Sequence, residues 1–288
     1  MAEPLLQVEK LRVQFPGRGF RAKPHEVLHG VSLAIGQGEV LGLVGESGSG
    51  KTTIGRAVLG LVKPSGGAIR FDGEDITHAG ARRRRELARH IQVVFQDPYS
   101  SLNPALTVGD ILSEPLIVQG ASPRDARARV RGLLEQVELP KDTADRLPRE
   151  FSGGQRQRVA IARALAPRPK LIVCDEPVSA LDLSTQALVL KLLIDIQQET
   201  GVAFLFISHD LAVVRHISHR VSVIYTGNIV ETGPAAAVTS DPRHPYSKRL
   251  LVAAPLADPV EQRRRREERK RLAGQDLPET RGTQAPSR

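Results

Sequence analysis

At 288 residues the chain is long enough to bury one sizeable α/β core with a smaller attached subdomain. Its single cysteine, Cys174, excludes an internal disulfide and a cysteine-rich metal site, and reads as a small apolar strand residue. Lys and Arg number 41 against 32 Asp and Glu, for a net charge of +9, with clusters at residues 82–85 and 261–271. Such runs can hold anionic headgroups or nucleic acid, but are more often solvated helix faces or tails. With no Trp and three Tyr, little surface exists on which single-stranded bases could stack.

In chain order, Val8, Leu11 and Val13 give a first strand pattern that ends at Phe15, before a loop from Pro16 to Pro24 that carries Phe20. Val40–Val44 is an apolar strand run, and after it residues 45–53 read Gly-Glu-Ser-Gly-Ser-Gly-Lys-Thr-Thr. Beyond Lys51 the positions Ile54, Ala57, Val58 and Leu61 have helical spacing, so the glycines sit at a strand-to-helix turn. Gly45, Gly48 and Gly50 let the backbone aim successive N–H groups at phosphate oxygens, at the positive end of the next helix. Glu46, Ser47, Ser49 and Thr53 complete the cradle, Lys51 reaches the β- and γ-phosphates, and the Thr52 hydroxyl holds Mg²⁺.

Residues 91–95 form the next strand pattern, followed by Gln96. From 97 to about 165 the patterning is helical, near 108–116 and 124–137, with Pro98, Pro104, Pro115 and Pro148 breaking it into pieces. Phe151-Ser152-Gly153-Gly154-Gln155 then opens an amphipathic helix through Val159, Ile161, Ala162 and Leu165; Ser152 suits its N-cap, and this helix start could grip another phosphate. Leu171, Ile172, Val173 and Cys174 form a short buried strand that delivers Asp175 and Glu176 to its C-terminal edge. Asp175 suits a magnesium shell and Glu176 suits polarising an attacking water, since cleaving a γ-phosphate needs charge neutralisation and an in-line water. Strands then alternate with helices as in a covered parallel sheet, and Thr226-Gly227-Asn228 closes a hairpin with residues 229–232.

These pieces, in this order, closely resemble the ATP-binding cassette family. The resemblance implies an α/β P-loop NTPase with a RecA-like parallel sheet core, an N-terminal antiparallel β portion and an inserted all-helical subdomain. The organisation expected is 1–96 for the β portion and phosphate loop, 97–165 for the helical subdomain, 166–235 for the rest of the core and 236–288 for a C-terminal extension. Gln96 resembles the glutamine that contacts Mg²⁺ and the attacking water, Ser179-Ala180-Leu181-Asp182 the loop that crosses to the opposite subunit, and His209 the histidine that contacts the γ-phosphate. The signature Ser152, Gly153, Gly154 and Gln155 would cover ATP held by a partner subunit. The family pattern usually begins with Leu where this chain has Phe151, a departure that leaves the phosphate-facing residues intact. Phe15 lies where the family's adenine-stacking aromatic does, with Phe20 as the competitor.

Residues 95–104 (Phe-Gln-Asp-Pro-Tyr-Ser-Ser-Leu-Asn-Pro) and His244-Pro245-Tyr246, followed by Lys248-Arg249-Leu250-Leu251, resemble the peptide and nickel importer branch. That branch implies ATP and Mg²⁺ as cofactors, two separate integral membrane permeases docking on the helical subdomain, and a solute-binding protein outside the membrane acting indirectly. It also implies a second, non-identical ATPase subunit, a place on the cytoplasmic face of the membrane, and no nucleic acid. The cysteine-containing tail common in the branch is missing here. No run of 18 apolar residues and no signal pattern at Met-Ala-Glu-Pro agree with a peripheral subunit. The competing class is a soluble cassette ATPase of DNA repair, chromosome organisation or translation, which would carry a long coiled coil, a zinc module or two cassettes; a module that holds ATP without cleaving it is a third, opposed by Glu176 and His209.

Overall fold

A one-residue change of phase in the first strand shapes the N-terminal sheet. In β1 (Leu6–Phe15) Leu6 and Val8 are buried, and so are Leu11 and Val13, which would face the other way in an unbroken strand. Lys10, at φ 46°, supplies the extra residue: the register with β2 (His25–Ile35) shifts between Val8 and Leu11, the mark of a bulge that returns the apolar residues to one face. With β4 (Gly66–Phe71) and β5 (Glu74–Asp75) this makes an antiparallel sheet ordered β2-β1-β4-β5. The turn between β4 and β5, Asp72-Gly73, has φ 53° and 79°, the left-handed pair of a type I′ hairpin.

The computed structural model describes residues 3–17, 24–97 and 101–253. Their contacts divide them into two units, one from the described residues within 1–36, 40–78 and 206–288, the other from those within 37–39 and 79–205. Phe20 and the basic run at 261–271 lie outside the described residues.

Besides the antiparallel sheet, the first unit holds β3 (Val40–Val44), β9 (Arg220–Tyr225) and β10 (Asn228–Pro234). All five residues of β3 are buried, as a parallel strand covered on both faces requires, and β3 pairs in parallel with β9. Thr226 and Gly227, at φ 41° and 76°, turn β9 into antiparallel β10 as the sequence leads one to expect. Four helices accompany these strands: α1 (Lys51–Val58), α7 (Leu211–Ile217), α8 (Ala235–Ser240) and α9 (Pro245–Ala253). Helical spacing places Leu61 on the core face of α1, and here the structure differs. Gly60, at φ 76°, ends the helix: its N–H donates to Ala57 O at 3.0 Å and the Leu61 N–H to Arg56 O at 2.8 Å, the paired bonds of a Schellman stop. Leu61 is left 63% exposed.

The second unit holds α2 (Ala81–Leu87), then β6 (Ile91–Val94) parallel to β7 (Leu171–Asp175). The strand β8 (Ala203–Ser208) is divided, with residues 203–205 in this unit and 206–208 in the first. Every regular element described between 101 and 165 is helical: α3 (Val108–Val118), α4 (Pro123–Gln136), 3₁₀ turns at Lys141–Asp145 and Pro148–Glu150, and α5 (Gly153–Leu165). Thr107 and Ser122 cap α3 and α4 by accepting the N–H groups of Asp110 and Asp125, at 3.2 and 3.1 Å. The long α6 (Leu183–Thr200) follows β7 and ends at Gly201 in the left-handed conformation. No helix among the described residues is long and apolar enough to cross a membrane.

Candidate nucleotide site

The first unit carries the phosphate loop between β3 and α1. Gly48 and Gly50 have φ 81° and 107°, a conformation that side chains disfavour. Gly45 is required for space instead, since a Cβ there would lie 2.2 Å from the Ile224 carbonyl oxygen. The Gly227 N–H donates to Ser49 O at 3.0 Å, so the β9–β10 turn braces the loop from outside. Lys51 is buried and its ammonium donates to Gly45 O at 2.7 Å and Glu46 O at 2.8 Å. No side chain caps α1, whose first amides, from Lys51, Thr52 and Thr53, lie at the positive end of the helix. The buried Ser49 hydroxyl makes no hydrogen bond among the described residues. Backbone donors, an ammonium and a spare hydroxyl form a set that fits a polyphosphate, and Glu46, Ser47 and Gly48 are exposed at its rim.

Three further residues of this unit bear on the site. His209 is exposed, directly after β8. The turn holding it is fixed on both sides, because Asp210 caps α7 by accepting the Ala212 N–H at 2.8 Å and donates its own N–H to the Ser208 hydroxyl at 3.0 Å. Phe15 pairs with His25 at the end of β1 and stays 40% exposed, a flat apolar face at a strand tip. Tyr246, on α9, escaped the sequence reading as a site residue: its hydroxyl accepts the Glu46 N–H at 2.9 Å.

The second unit carries the carboxylates and the signature. Gln96 is exposed two residues beyond β6. Asp175, 9% exposed, ends β7, and Glu176 follows with φ 51°. A glutamate in this left-handed region costs roughly 1–2 kcal/mol, strain of the kind that gathers at functional sites. Ser179 holds the strained turn shut, donating its N–H and its hydroxyl to Glu176 O at 3.3 and 3.0 Å. Cys174 is fully enclosed, and burial, then the charge of Asp175, push its thiol far above the ordinary range. A thiol reagent should therefore leave folded protein unlabelled and modify one cysteine per chain in denaturant, which absorbance of the released chromophore would check.

At α5, Ser152 accepts the Gln155 N–H at 3.3 Å, and the Gln155 side chain accepts the Ser152 N–H at 3.0 Å, a complete capping box. Phe151 is buried beneath the Arg146 guanidinium, 4.4 Å from the ring centroid, and the Arg156 side chain donates to Phe151 O at 3.0 Å. The departure from the family's usual Leu thus fills an interior position and leaves the Ser152–Gln155 backbone capped.

Asp182 caps α6, accepting the Thr185 N–H at 3.0 Å and the Thr185 hydroxyl at 2.6 Å. The Ser184 hydroxyl, then the hydroxyl and N–H of Thr185, hold the Asp182 carboxyl well below the usual carboxylate range. Thr185 in turn abuts the signature: a Cβ at Gly154 would lie 2.2 Å from its Cγ2. The sequence presents Gly154 as a phosphate-facing glycine, whereas the structure adds a packing reason for it. Because Asp182 fixes the Thr185 rotamer, Gly154→Ala should cost roughly 1–3 kcal/mol, read as a lower urea midpoint at unchanged m-value.

A phosphate loop on a strand-to-helix turn, a capped glycine-opened helix and a strand ending in two carboxylates define an ATP-binding cassette. Residues 28–179 match the family model described as ABC transporter, and the chain belongs to that family. Among its relatives is the glutathione import ATP-binding protein GsiA of Escherichia coli (strain K12), 51% identical over 281 residues that cover 96% of this chain and 44% of that protein. The protein of the same name from Salmonella paratyphi A is 50% identical over 293 residues, 99% of this chain and 46% of its own length. The chain therefore spans less than half the length of these relatives. Among solved structures, cbiO1 from Clostridium perfringens, part of the ABC transporter complex cbiONQ, superposes with a TM-score of 0.74 at 29% identity, covering 83% of this chain and 92% of that one. The ATP-binding cassette MJ0796, in a dimeric post-hydrolysis state bound to ADP and Pi, gives 0.71 at 30% identity, covering 80% and 98%. The fold class expected from the sequence is thus shown.

Proposed function

We propose that this chain is the ATP-hydrolysing subunit of an importer, and that it works as one half of a pair of cassettes. The observation that carries the reading is the loop at 45–53, where a buried ammonium and an uncapped helix start converge beside glycines in the left-handed region. In this reading Lys51 takes the β- and γ-phosphates and Phe15 stacks on adenine, and Thr52, Gln96 and Asp175 would hold Mg²⁺, which would neutralise phosphate charge. The Glu176 carboxylate accepts the proton of a water that attacks the γ-phosphorus in line, as the bond from that phosphorus to the bridging oxygen breaks and ADP leaves, while His209 contacts the γ-phosphate. Ser152, Gly153, Gly154 and Gln155 cover the nucleotide held by the second cassette, and Asp182 lies on the loop facing it. The division into a core from 1–96 and 166–235, a helical subdomain at 97–165 and an extension from 236 belongs to the same proposal.

The name of the relatives, glutathione import, supports a small peptide as the cargo over a nickel chelate. In the assembled importer the second cassette is a related chain, while the isolated chain pairs with a second copy of itself, an arrangement supported by the dimeric state of the cassette MJ0796; two integral membrane permeases dock on the helical subdomain, a solute-binding protein delivers cargo from the far side, and the subunit sits on the cytoplasmic face. A tagged copy should co-purify with two integral membrane chains, and vesicles holding that assembly should take up labelled glutathione with ATP. Recovery with ribosomes or DNA instead would favour the non-transport class.

A further inference from the structure

We propose that Tyr246 is a positioning residue of the phosphate loop, through which the C-terminal helix α9 holds the loop in its binding shape. The inference rests on reading residues 45–53 as the ATP cradle, and adds a strut from a segment remote in sequence. Tyr246 is 2% exposed, and its hydroxyl accepts the Glu46 N–H at 2.9 Å. Its ring lies against Tyr225, with centroids 4.2 Å apart and planes tilted by 36°. Tyr225 closes β9, the strand whose Ile224 carbonyl crowds Gly45, so the ring is seated on the wall that confines the loop. The backbone of Tyr246 is equally fixed. The Glu231 carboxylate on β10 accepts the N–H groups of Arg243 at 2.7 Å and His244 at 3.1 Å, and His244 Nδ1 accepts the Tyr246 N–H at 3.2 Å. Burial pushes the phenol up to about 12, so it stays protonated across the physiological range.

The strut matters because of how the loop's other bonds are made. The carbonyls of Gly45 and Glu46 both accept from Lys51. When Lys51 turns to a triphosphate those bonds loosen, while the bond from the Glu46 N–H to Tyr246 does not involve Lys51 and is retained. Tyr246 thus keeps the loop's first peptide unit in place in both conditions and spares ATP the entropy of ordering it.

The test compares full-length wild type, Tyr246→Phe and Lys51→Ala by calorimetric titration with ATP and Mg²⁺, with amide exchange followed across residues 45–50. Tyr246→Phe keeps the ring and its packing and deletes one acceptor. It should weaken ATP binding about five-fold, the equivalent of ~1 kcal/mol, and speed exchange of the Glu46 amide, with the melting temperature within about 2 °C of wild type. Wild-type affinity in Tyr246→Phe, or a Glu46 amide that already exchanges freely in wild type, would overturn the proposal while Lys51→Ala still reports on the cradle. Failure of the wild type itself to bind ATP would overturn the cradle reading and this inference with it.

Discussion

Lys51→Ala should lower ATP affinity by at least about 100-fold, since it removes charge-assisted bonds to phosphate worth roughly 3 kcal/mol. The effect has two sources that one titration cannot separate. The ammonium is the ligand for phosphate in the proposed role, and it also bridges the carbonyls of Gly45 and Glu46, so its removal loosens the loop before any nucleotide arrives. Lys51→Arg separates them, because it keeps the charge but not the compact geometry that fits between two carbonyls of a buried turn. Calorimetry should show alanine abolishing measurable binding and arginine weakening it, with the melting temperature lowered only slightly in either. ATP affinity in Lys51→Ala equal to wild type would remove the loop from nucleotide binding.

Glu176→Gln should reduce hydrolysis by roughly 10²- to 10⁴-fold, the range expected on losing a general base, while leaving ATP binding within a few-fold of wild type. Gln has the shape of Glu, so the left-handed backbone at φ 51° and the Ser179 bonds that close the turn are retained. The change is therefore confined to proton acceptance, and the uncleaved nucleotide should hold two cassettes together. Single-turnover phosphate release and light scattering in the presence of ATP check both halves: slow release with a doubled mass is expected. Turnover at the wild-type rate would take Glu176 out of its proposed role.

Much of the framework is legible in the sequence because the strands that carry it are continuous apolar runs with polar punctuation. Val40–Val44 and Leu171–Asp175 are buried along their whole length, and each delivers its functional residues at the strand end. Caps are equally local: Ser152 announces α5 through a hydroxyl three residues from the amide it accepts. What periodicity cannot supply is the point at which a helix stops. Leu61 has the spacing of a core residue, yet Gly60 unwinds the chain one residue earlier. Contacts between distant segments are the other gap. Nothing near Tyr246 says that its hydroxyl meets the amide of Glu46, and nothing near Gly154 says that Thr185 occupies the space where a side chain would go. Both pairings depend on how β9, α9, α5 and α6 are packed, so they appear only once the elements are assembled.

The central claim is that the nucleotide held by Lys51 of one chain is completed by the signature of another. Mixing two inactive variants tests it most directly: Lys51→Ala, with a disabled loop and an intact signature, and Gly153→Asp, with an intact loop and a signature whose added carboxylate repels the phosphate held by the other chain. Each alone should fail to hydrolyse ATP, whereas the mixture should regain activity, because one site of the mixed pair joins the intact loop of one chain to the intact signature of the other. A mixture as inactive as its components, or a Gly153→Asp chain that hydrolyses ATP at the wild-type rate by itself, would contradict the account.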